Sequence, residues 1–152
     1  MKKIYLYLFL TSMTMLNAQN TINLIPQPVD IKTASGAYQL TNTTTISFDK
    51  AESRTVAEML TQRLNAPTGF SLKAQQGKSG AIQLNINATP NTELGKEGYT
   101  LEATTKGVVI SANQTAGLFY GMQTLIQLLP KEIESKTVTK GSWSIPSERS
   151  WP

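Results

Sequence analysis

The sequence predicts an α+β fold, a small sandwich in which a mostly antiparallel sheet carries two helices on one face. Three observations favour this class. Short runs of alternating apolar and polar residues recur along the chain, two longer stretches have the periodicity of amphipathic helices, and turn residues separate them. Strand pairs interrupted by two helices are typical of a sheet covered on one side. With 152 residues, the chain has the length of one domain.

The strands are predicted from period-two alternation bounded by turn residues. In chain order they occupy residues 29–33, 37–40, 44–48, 70–72, 81–86, 99–103 and 108–110, and the alternation of Trp143 and Ile145 closes the domain. The first two strands are expected to form a hairpin around Ser35 and Gly36. Residues 77–80 read as a hairpin turn before strand 81–86, and residues 104–107 as the turn of a further hairpin.

The first helix is expected over residues 51–65. Its apolar side chains fall on one face: Val56, Met59, Leu60 and Leu64. Asp49 or Ser53 is the candidate N-terminal cap. Pro67 and Gly69 are expected to end the helix, since neither residue favours a helix interior.

The second helix contains two glycines one turn apart. Its apolar stripe recurs at i, i+4, i+7 and i+11 and is widened by two neighbours: Leu118, Met122, Leu125 and Leu129, with Phe119 and Ile126. Pro130 ends it. Gly117 and Gly121 each cost about 1 kcal/mol relative to alanine in a helix interior. Two interpretations are open: the glycines are merely tolerated, or they let the helix backbone lie close to the sheet.

Three stretches of the sequence resemble one family. Residues 97–128 contain Glu97-Gly-Tyr-x-Leu, Gly107-Val-x-Ile-x-Ala and Gly117-Leu-Phe-Tyr-Gly-x-Gln-Thr-Leu; Leu24-Ile-Pro-Gln-Pro precedes them and Trp143-Ser-Ile-Pro follows. Together they resemble, in the family's order, the N-terminal accessory domain of family 20 glycoside hydrolases, the β-N-acetylhexosaminidases. The resemblance favours close packing at the two glycines. It also implies a sheet with two helices on one side, similar to the zincin metallopeptidase fold.

The resemblance implies that this domain is not itself catalytic. The family hydrolyses terminal β-linked N-acetylglucosamine and N-acetylgalactosamine with help from the substrate's own 2-acetamido group. Its adjacent Asp-Glu pair belongs to a following (β/α)8 barrel, which takes about 250 residues. Only residues 147–152 follow Pro146. We therefore expect a truncated tail, an inactive chain, and a catalytic barrel that is its missing partner in cis. Arg149 is assigned no role, because its neighbours do not match the family's arginine segment.

The residue types exclude several kinds of site. The chain has no histidine and no cysteine, which excludes a His-Glu-x-x-His zinc site, thiol catalysis and disulfides. Five glutamates are candidate catalytic carboxylates but read as surface groups: Glu93, Glu97, Glu102, Glu132 and Glu134. Lys78 and Ser79 lack the spacing of a phosphate loop. No catalytic, cofactor-binding or metal-binding residue is predicted, and no cofactor.

Residues 1–18 are predicted to be a secretory signal peptide. Lys2 and Lys3 precede an apolar run at residues 4–10, and Ala18 is a suitable small residue before the cleavage point. The run is shorter than the roughly 20 residues that span a bilayer. We expect residues 19–146 to be exported to the periplasm or the exterior, without a membrane anchor. The net charge is +4, but the basic residues are scattered along the sequence and form no cluster, which argues against a nucleic-acid partner.

Two other classes of function are open. The first alternative is a free-standing glycan- or protein-binding module. The second is an adaptor that completes a barrel supplied by another chain. Sugar-binding surfaces usually expose aromatic rings, and the candidates outside the predicted core are Tyr38, Tyr120 and Trp151. Glycans of the N-acetylhexosamine class are expected to be bound only through the parent enzyme. The Asn-x-Thr triplets at Asn42, Asn87 and Asn113 are assigned no modification.

Overall fold

A seven-stranded sheet carries both helices in the computed structural model, which describes residues 30–151, with side chains described at 35–147. The strands are β1 (Asp30–Gln39), β2 (Ile46–Phe48), β3 (Ala74–Gln76), β4 (Ile82–Ile86), β5 (Tyr99–Thr104), β6 (Gly107–Ala112) and β7 (Ser144–Trp151). The helices are α1 (Arg54–Thr68) and α2 (Thr115–Leu128), and 3-10 turns occupy Ala51–Ser53 and Lys131–Glu134. The predicted signal peptide and the Leu24–Pro28 segment lie outside the described residues.

The predicted α+β class is confirmed, and the sheet is mixed. Its strand order is β1-β7-β5-β6-β4-β2-β3. The pairs β1–β7, β7–β5 and β5–β6 are antiparallel, whereas β6–β4, β4–β2 and β2–β3 are parallel. The antiparallel character expected for most of the sheet therefore holds for one half. The other half is parallel; β2 and β3 can pair in this way because α1 joins them and returns the chain to the end of the sheet where β2 began.

The predicted hairpin at Ser35 and Gly36 is wrong. Both of its halves belong to the single strand β1, which pairs throughout with β7. The register shifts between Thr33 and Ala37, so the intervening residues form a bulge. Gly36 has φ +98°, a conformation in which glycine is free of the penalty that a side chain would add. A Ser-Gly pair thus bends an edge strand here without reversing the chain.

The predicted strand at residues 70–72 does not form. The side chain of Asn65 takes both backbone groups of Leu72: the Leu72 N–H donates to Oδ1 at 2.9 Å, and Nδ2 donates to the Leu72 carbonyl at 3.0 Å. The strand begins two residues later, as β3. An amide on α1 therefore replaces the partner strand that Leu72 would have needed.

Residues 77–80 do not form a hairpin turn, because β2 lies between β3 and β4. The connection instead crosses β2. Two hydroxyls near β2 hold it: the Gly80 N–H donates to Ser47 Oγ and the Ala81 N–H to Thr45 Oγ1, each at 3.0 Å. Lys78 and Ser79 are exposed in this crossing loop.

Helix α1 extends past its predicted end. Pro67 lies inside the last turn, and the helix stops at Gly69, which has φ +71° and donates its N–H to the Asn65 carbonyl. Ser53 precedes the helix without forming a side-chain cap bond. Asp49, the other candidate cap, accepts a hydrogen bond from the Ile86 N–H with each of its carboxylate oxygens, at 3.1 Å.

Helix α2 packs closely on the β5–β6 hairpin, which is the interpretation that the family resemblance favoured. A Cβ at Gly121 would overlap the Cγ2 methyl of Ile110 and lie 3.0 Å from the ring of Tyr99. A Cβ at Gly117 would overlap the carbonyl oxygen of Gly98. Both glycines are therefore packing contacts. The buried Tyr99 hydroxyl is hydrogen-bonded to Thr124, which links β5 to α2 through side chains as well.

The core lies between the helices and one face of the sheet. Alternate residues of β4, β5 and β6 are buried, and the two helices contact each other over them. The largest fully buried side chains include Phe48, Leu60, Leu84, Leu101, Ile110 and Met122. Neither α1 nor α2 covers the other face of the sheet. In the described part of the chain, we therefore distinguish the outer side of the helices from the open face of the sheet.

Candidate functional site

The candidate carboxylates near β5 are surface groups. Glu93 and Glu97 are exposed in the loop before β5. Glu102 is exposed on β5, on the opposite side from the buried residues. Within residues 30–151, no group of three His, Cys, Asp or Glu side chains is placed to hold a metal ion.

Glu134 belongs to an ion pair that the sequence pattern did not indicate. One terminal nitrogen of Arg63, on α1, donates to both carboxylate oxygens of Glu134, at 2.7 and 2.8 Å. Both side chains are substantially exposed, at 42% and 62%. The pair fastens the 3-10 turn at Lys131–Glu134 to α1, which is a structural role.

Two of the three Asn-x-Thr asparagines lie in a hydrogen-bonded cluster. The Asn113 Oδ1 accepts bonds from Asn87 Nδ2 at 2.9 Å and from the Asn91 N–H at 2.8 Å. The Asn113 Nδ2 donates to the Asn91 and Gly95 carbonyls at 2.7 and 2.8 Å. This amide therefore fixes the loop between β4 and β5 to the end of β6. Asn42 is exposed in a turn.

The aromatic candidates for sugar binding differ in their exposure. Tyr38 is half-buried and shares a hydrogen bond with Thr44 Oγ1 at 2.9 Å. Trp151 ends β7, and its side chain lies outside the described residues. A hollow of about 480 Å³ opens beside Trp143, but that ring is only 4% exposed. Tyr120 is 45% exposed and is the clearest aromatic surface among the described candidates.

The two surfaces of the domain have different chemistry. On β4, β5 and β6 the open face of the sheet consists of Gln83, Asn85, Thr100, Glu102, Thr104, Val109 and Ser111. Only one of these residues is apolar, so this surface suits contact with water. The outer side of the helices instead exposes Met59 and Tyr120, with Phe119 half-buried beside the tyrosine. Met59 was expected on the apolar face of α1 but is 37% exposed, whereas Val56, Ala57, Leu60 and Leu64 are buried.

Helix α2 has an outer stripe that we call the α2 patch, formed by Ala116, Phe119, Tyr120, Gln123 and Gln127. The rings of Phe119 and Tyr120 meet edge to face, with centroids 5.8 Å apart and planes at 69°. The patch was not predicted from the sequence. One feature of the sequence could have indicated the patch: helix α2, Thr115–Leu128, contains no Asp, Glu, Lys or Arg.

Helix α1 carries charged residues on its outer side and lies next to two open hollows. One hollow, of about 350 Å³, lies against the 3-10 turn at Lys131–Glu134. The other, of about 580 Å³, lies between Met59 and the segment around Lys73. Arg54, Glu58 and Arg63 are exposed along the helix. Among the described helices, none has the length and apolar character required to cross a bilayer.

The described residues form one α+β unit, and comparison with known proteins identifies its family. Residues 21–147 match the model of glycosyl hydrolase family 20, domain 2. The chain belongs to this family, which confirms the resemblance carried by the Glu97 and Gly117 segments.

Individual relatives agree with the family match. The chain is 33% identical to a β-hexosaminidase of Porphyromonas gingivalis over 128 residues, 82% of this chain and 16% of that protein. It is 32% identical to a lacto-N-biosidase of Bifidobacterium bifidum over 98 residues, 62% of this chain and 9% of that protein. It superimposes on the N-acetyl-β-hexosaminidase of Streptomyces plicatus with a TM-score of 0.77 and 34% identity, over 83% of this chain and 25% of that chain. The chain thus spans a minor part of each relative.

Proposed function

We propose that this chain acts as the non-catalytic domain of an exported β-N-acetylhexosaminidase and packs against that enzyme's catalytic barrel. The observation that carries the proposal is the match of residues 21–147 to domain 2 of the family. The exposure of Glu93, Glu97 and Glu102 supports a non-catalytic role. The contrast between the polar sheet face and the helices' outer side supports packing against another domain.

The parent enzyme is proposed to hydrolyse terminal β-linked N-acetylhexosamine residues. The β-hexosaminidase relative, which is matched over more of this chain, supports that substrate class. A relative named as a lacto-N-biosidase has nearly the same identity. Since two differently named activities share this domain at similar identity, we infer that the domain does not select the sugar. Selection then belongs to the barrel.

Export is the remaining part of the proposal. Lys2 and Lys3, the apolar run at residues 4–10 and the small residue Ala18 support cleavage of a signal peptide and release of the rest of the chain. Expression with the leader, followed by N-terminal sequencing of the released protein, tests this part. A chain that keeps Lys2 and stays in the membrane fraction would refute it.

The functional test uses the chain alone and a chimera. Incubation of the purified chain with a chromogenic N-acetylglucosaminide should give no turnover, because the chain lacks the family's Asp-Glu pair. In the chimera, residues 21–147 replace the matching segment of the P. gingivalis β-hexosaminidase. We expect that enzyme to be active with the chimeric segment and to aggregate or lose activity when the segment is deleted.

Two outcomes contradict the proposal. Turnover that follows the purified chain through chromatography would make it an enzyme. A chimera no better than the deletion would mean that the domain does not support a hexosaminidase barrel.

A further inference from the structure

The hollow of about 480 Å³ beside Trp143 lies at the end of the domain where β1 stops and β7 begins. We call it the Trp143 hollow. Three parts of the chain line it: residues 39–42, the end of α1 with Phe70, and residues 139–141 before β7. Its volume is within the range of about 300–1,000 Å³ that is usual for small-molecule sites. It is separate from the outer side of the helices.

The apolar part of the lining comes from Leu40, Phe70 and Trp143. Leu40 and Trp143 are almost completely buried and belong to the core, so they form a fixed apolar base. Phe70 is half-buried and leaves part of its side chain open. The apolar face of a ligand can therefore pack against Phe70, whereas the Trp143 ring is too deeply buried to be stacked upon.

The polar part of the lining offers hydrogen-bond donors and one positive charge. Asn42 and Lys140 are exposed, and neither side chain forms a hydrogen bond or ion pair with any described residue. Among the described side chains, no Asp or Glu lines the hollow. A carboxylate that enters it would meet a cation and an amide without a competing negative charge, and bonds of this charge-assisted kind are the stronger ones.

Thr139 adds a hydroxyl that lacks a partner. Its backbone N–H is fixed by the Pro67 carbonyl at 2.8 Å, but its Oγ1 is buried and forms no hydrogen bond to a described residue. Buried polar atoms are nearly always hydrogen-bonded, so this exception needs an explanation. The residue as a whole is half-buried and lines the hollow. A bound ligand would supply the partner that the chain itself does not.

We propose that the Trp143 hollow binds an acidic saccharide unit, a sugar ring that carries a carboxylate. The carboxylate binds Lys140 and Asn42, and the apolar face of the ring packs on Phe70. A ring hydroxyl pairs with the Thr139 hydroxyl, which turns into the hollow by a change of χ1 rotamer. The inference goes beyond the proposed function and does not depend on it. Such a site holds a glycan and takes no part in choosing the bond that a hexosaminidase barrel cleaves.

The test is an NMR titration of the isotope-labelled chain with three probes. The first is a disaccharide of glucuronic acid and N-acetylglucosamine, the second is the same disaccharide with its carboxyl group reduced to an alcohol, and the third is inorganic sulfate. The acidic disaccharide should shift the amide signals of residues 39–42, Phe70 and 139–141 saturably, with a Kd in the millimolar range. The neutral disaccharide should bind about tenfold more weakly, because the bond to a charged group is lost. Sulfate should leave the Phe70 signal unchanged.

Three variants separate binding from folding. Lys140→Gln should weaken binding of the acidic disaccharide by about tenfold. The matched control, Lys78→Gln, changes an exposed lysine in the loop that crosses β2 and should have no effect. Thr139→Val keeps the shape of the side chain and removes the hydroxyl. It should weaken binding while the urea midpoint stays the same or rises, because an unpaired buried hydroxyl is removed.

Several results would overturn the proposal. These are the absence of a saturable shift at the hollow, equal affinity for the acidic and neutral disaccharides, or a full set of shifts with sulfate alone. Equal losses in Lys78→Gln and Lys140→Gln would show general attraction between charges and no site. A lowered urea midpoint for Thr139→Val would assign its hydroxyl to the fold and remove it from the site. None of these results depends on whether the hexosaminidase chimera is active.

Discussion

Replacement of Gly121 by leucine tests how closely α2 lies on the sheet. Helix propensity alone predicts that Gly121→Leu stabilises the domain, because leucine exceeds glycine by about 0.8 kcal/mol in a helix interior. The packing predicts the opposite. Even a single Cβ at this position would overlap the Ile110 methyl and lie 3.0 Å from the Tyr99 ring, and both neighbours are buried.

The expected size of the effect follows from the gain in helix propensity and from the cost of overpacking. Carbon atoms in contact are normally about 3.5–4.0 Å apart, so Ile110 and Tyr99 must both move to admit a side chain. Ile110 is β-branched and lies on β6 in the middle of the sheet, and the Tyr99 hydroxyl is held by Thr124. Overpacking of this kind costs about 1–3 kcal/mol, and leucine belongs at the upper end because four carbons are added. After subtraction of the propensity gain, we expect a net loss of about 2 kcal/mol.

Urea unfolding measures this loss. At an m-value of about 2 kcal/mol/M, a loss of about 2 kcal/mol lowers the midpoint by about 1 M. The matched control is Ala116→Leu, which adds leucine at an exposed position of the same helix and should change stability by no more than about 0.5 kcal/mol. An unchanged or raised midpoint for Gly121→Leu would refute the packing argument. A double-mutant cycle with Ile110→Ala should show coupling, because alanine at position 110 leaves room for the side chain added at position 121.

Two further substitutions test the contacts that hold loops in place. Asn113→Asp keeps the shape of the side chain but removes its donors to the Asn91 and Gly95 carbonyls. Urea unfolding should therefore show a loss of stability of about 1–3 kcal/mol. Hydrogen exchange should show faster amide exchange in the loop before β5. Equal stability would mean that the cluster does not fix that loop. Arg63→Ala should lower the free energy of unfolding by less than about 1 kcal/mol, because the ion pair with Glu134 is exposed. Added salt should reduce this difference further. A loss of stability that does not depend on salt would contradict a surface ion pair.

The elements that the sequence predicted best are those specified by neighbouring residues. The β5–β6 hairpin has a clean period-two pattern, a short turn and a register that pairs Leu101 with Ile110 on the buried side. Helix α2 follows its apolar stripe and stops before Pro130. In both cases local propensity, pattern and turn chemistry agree, which is the condition under which a sequence specifies its structure well.

The errors arose where a distant contact decided the outcome. Ser35 and Gly36 suit a turn or a bulge equally well, and pairing with β7, more than 100 residues away, selects the bulge. Leu72 has the residue type of a strand but gives its backbone groups to Asn65. Met59 lies on the predicted apolar stripe of α1, yet the placement of α2 and β3 leaves it 37% exposed. No local pattern contains this information.

The candidate interaction site was hidden for a related reason. An apolar or uncharged helix is expected to be buried on all sides, so the sequence of α2 by itself does not separate core from interface. The structure separates them. Gly117 and Gly121 lie against β5 and β6, which leaves Phe119 and Tyr120 on the outer side. Since the glycines set how closely the helix approaches the sheet, they also set the height at which the two rings stand above it. The glycine contact and the α2 patch are therefore two consequences of one feature, a helix that is fixed at a defined distance from its own sheet.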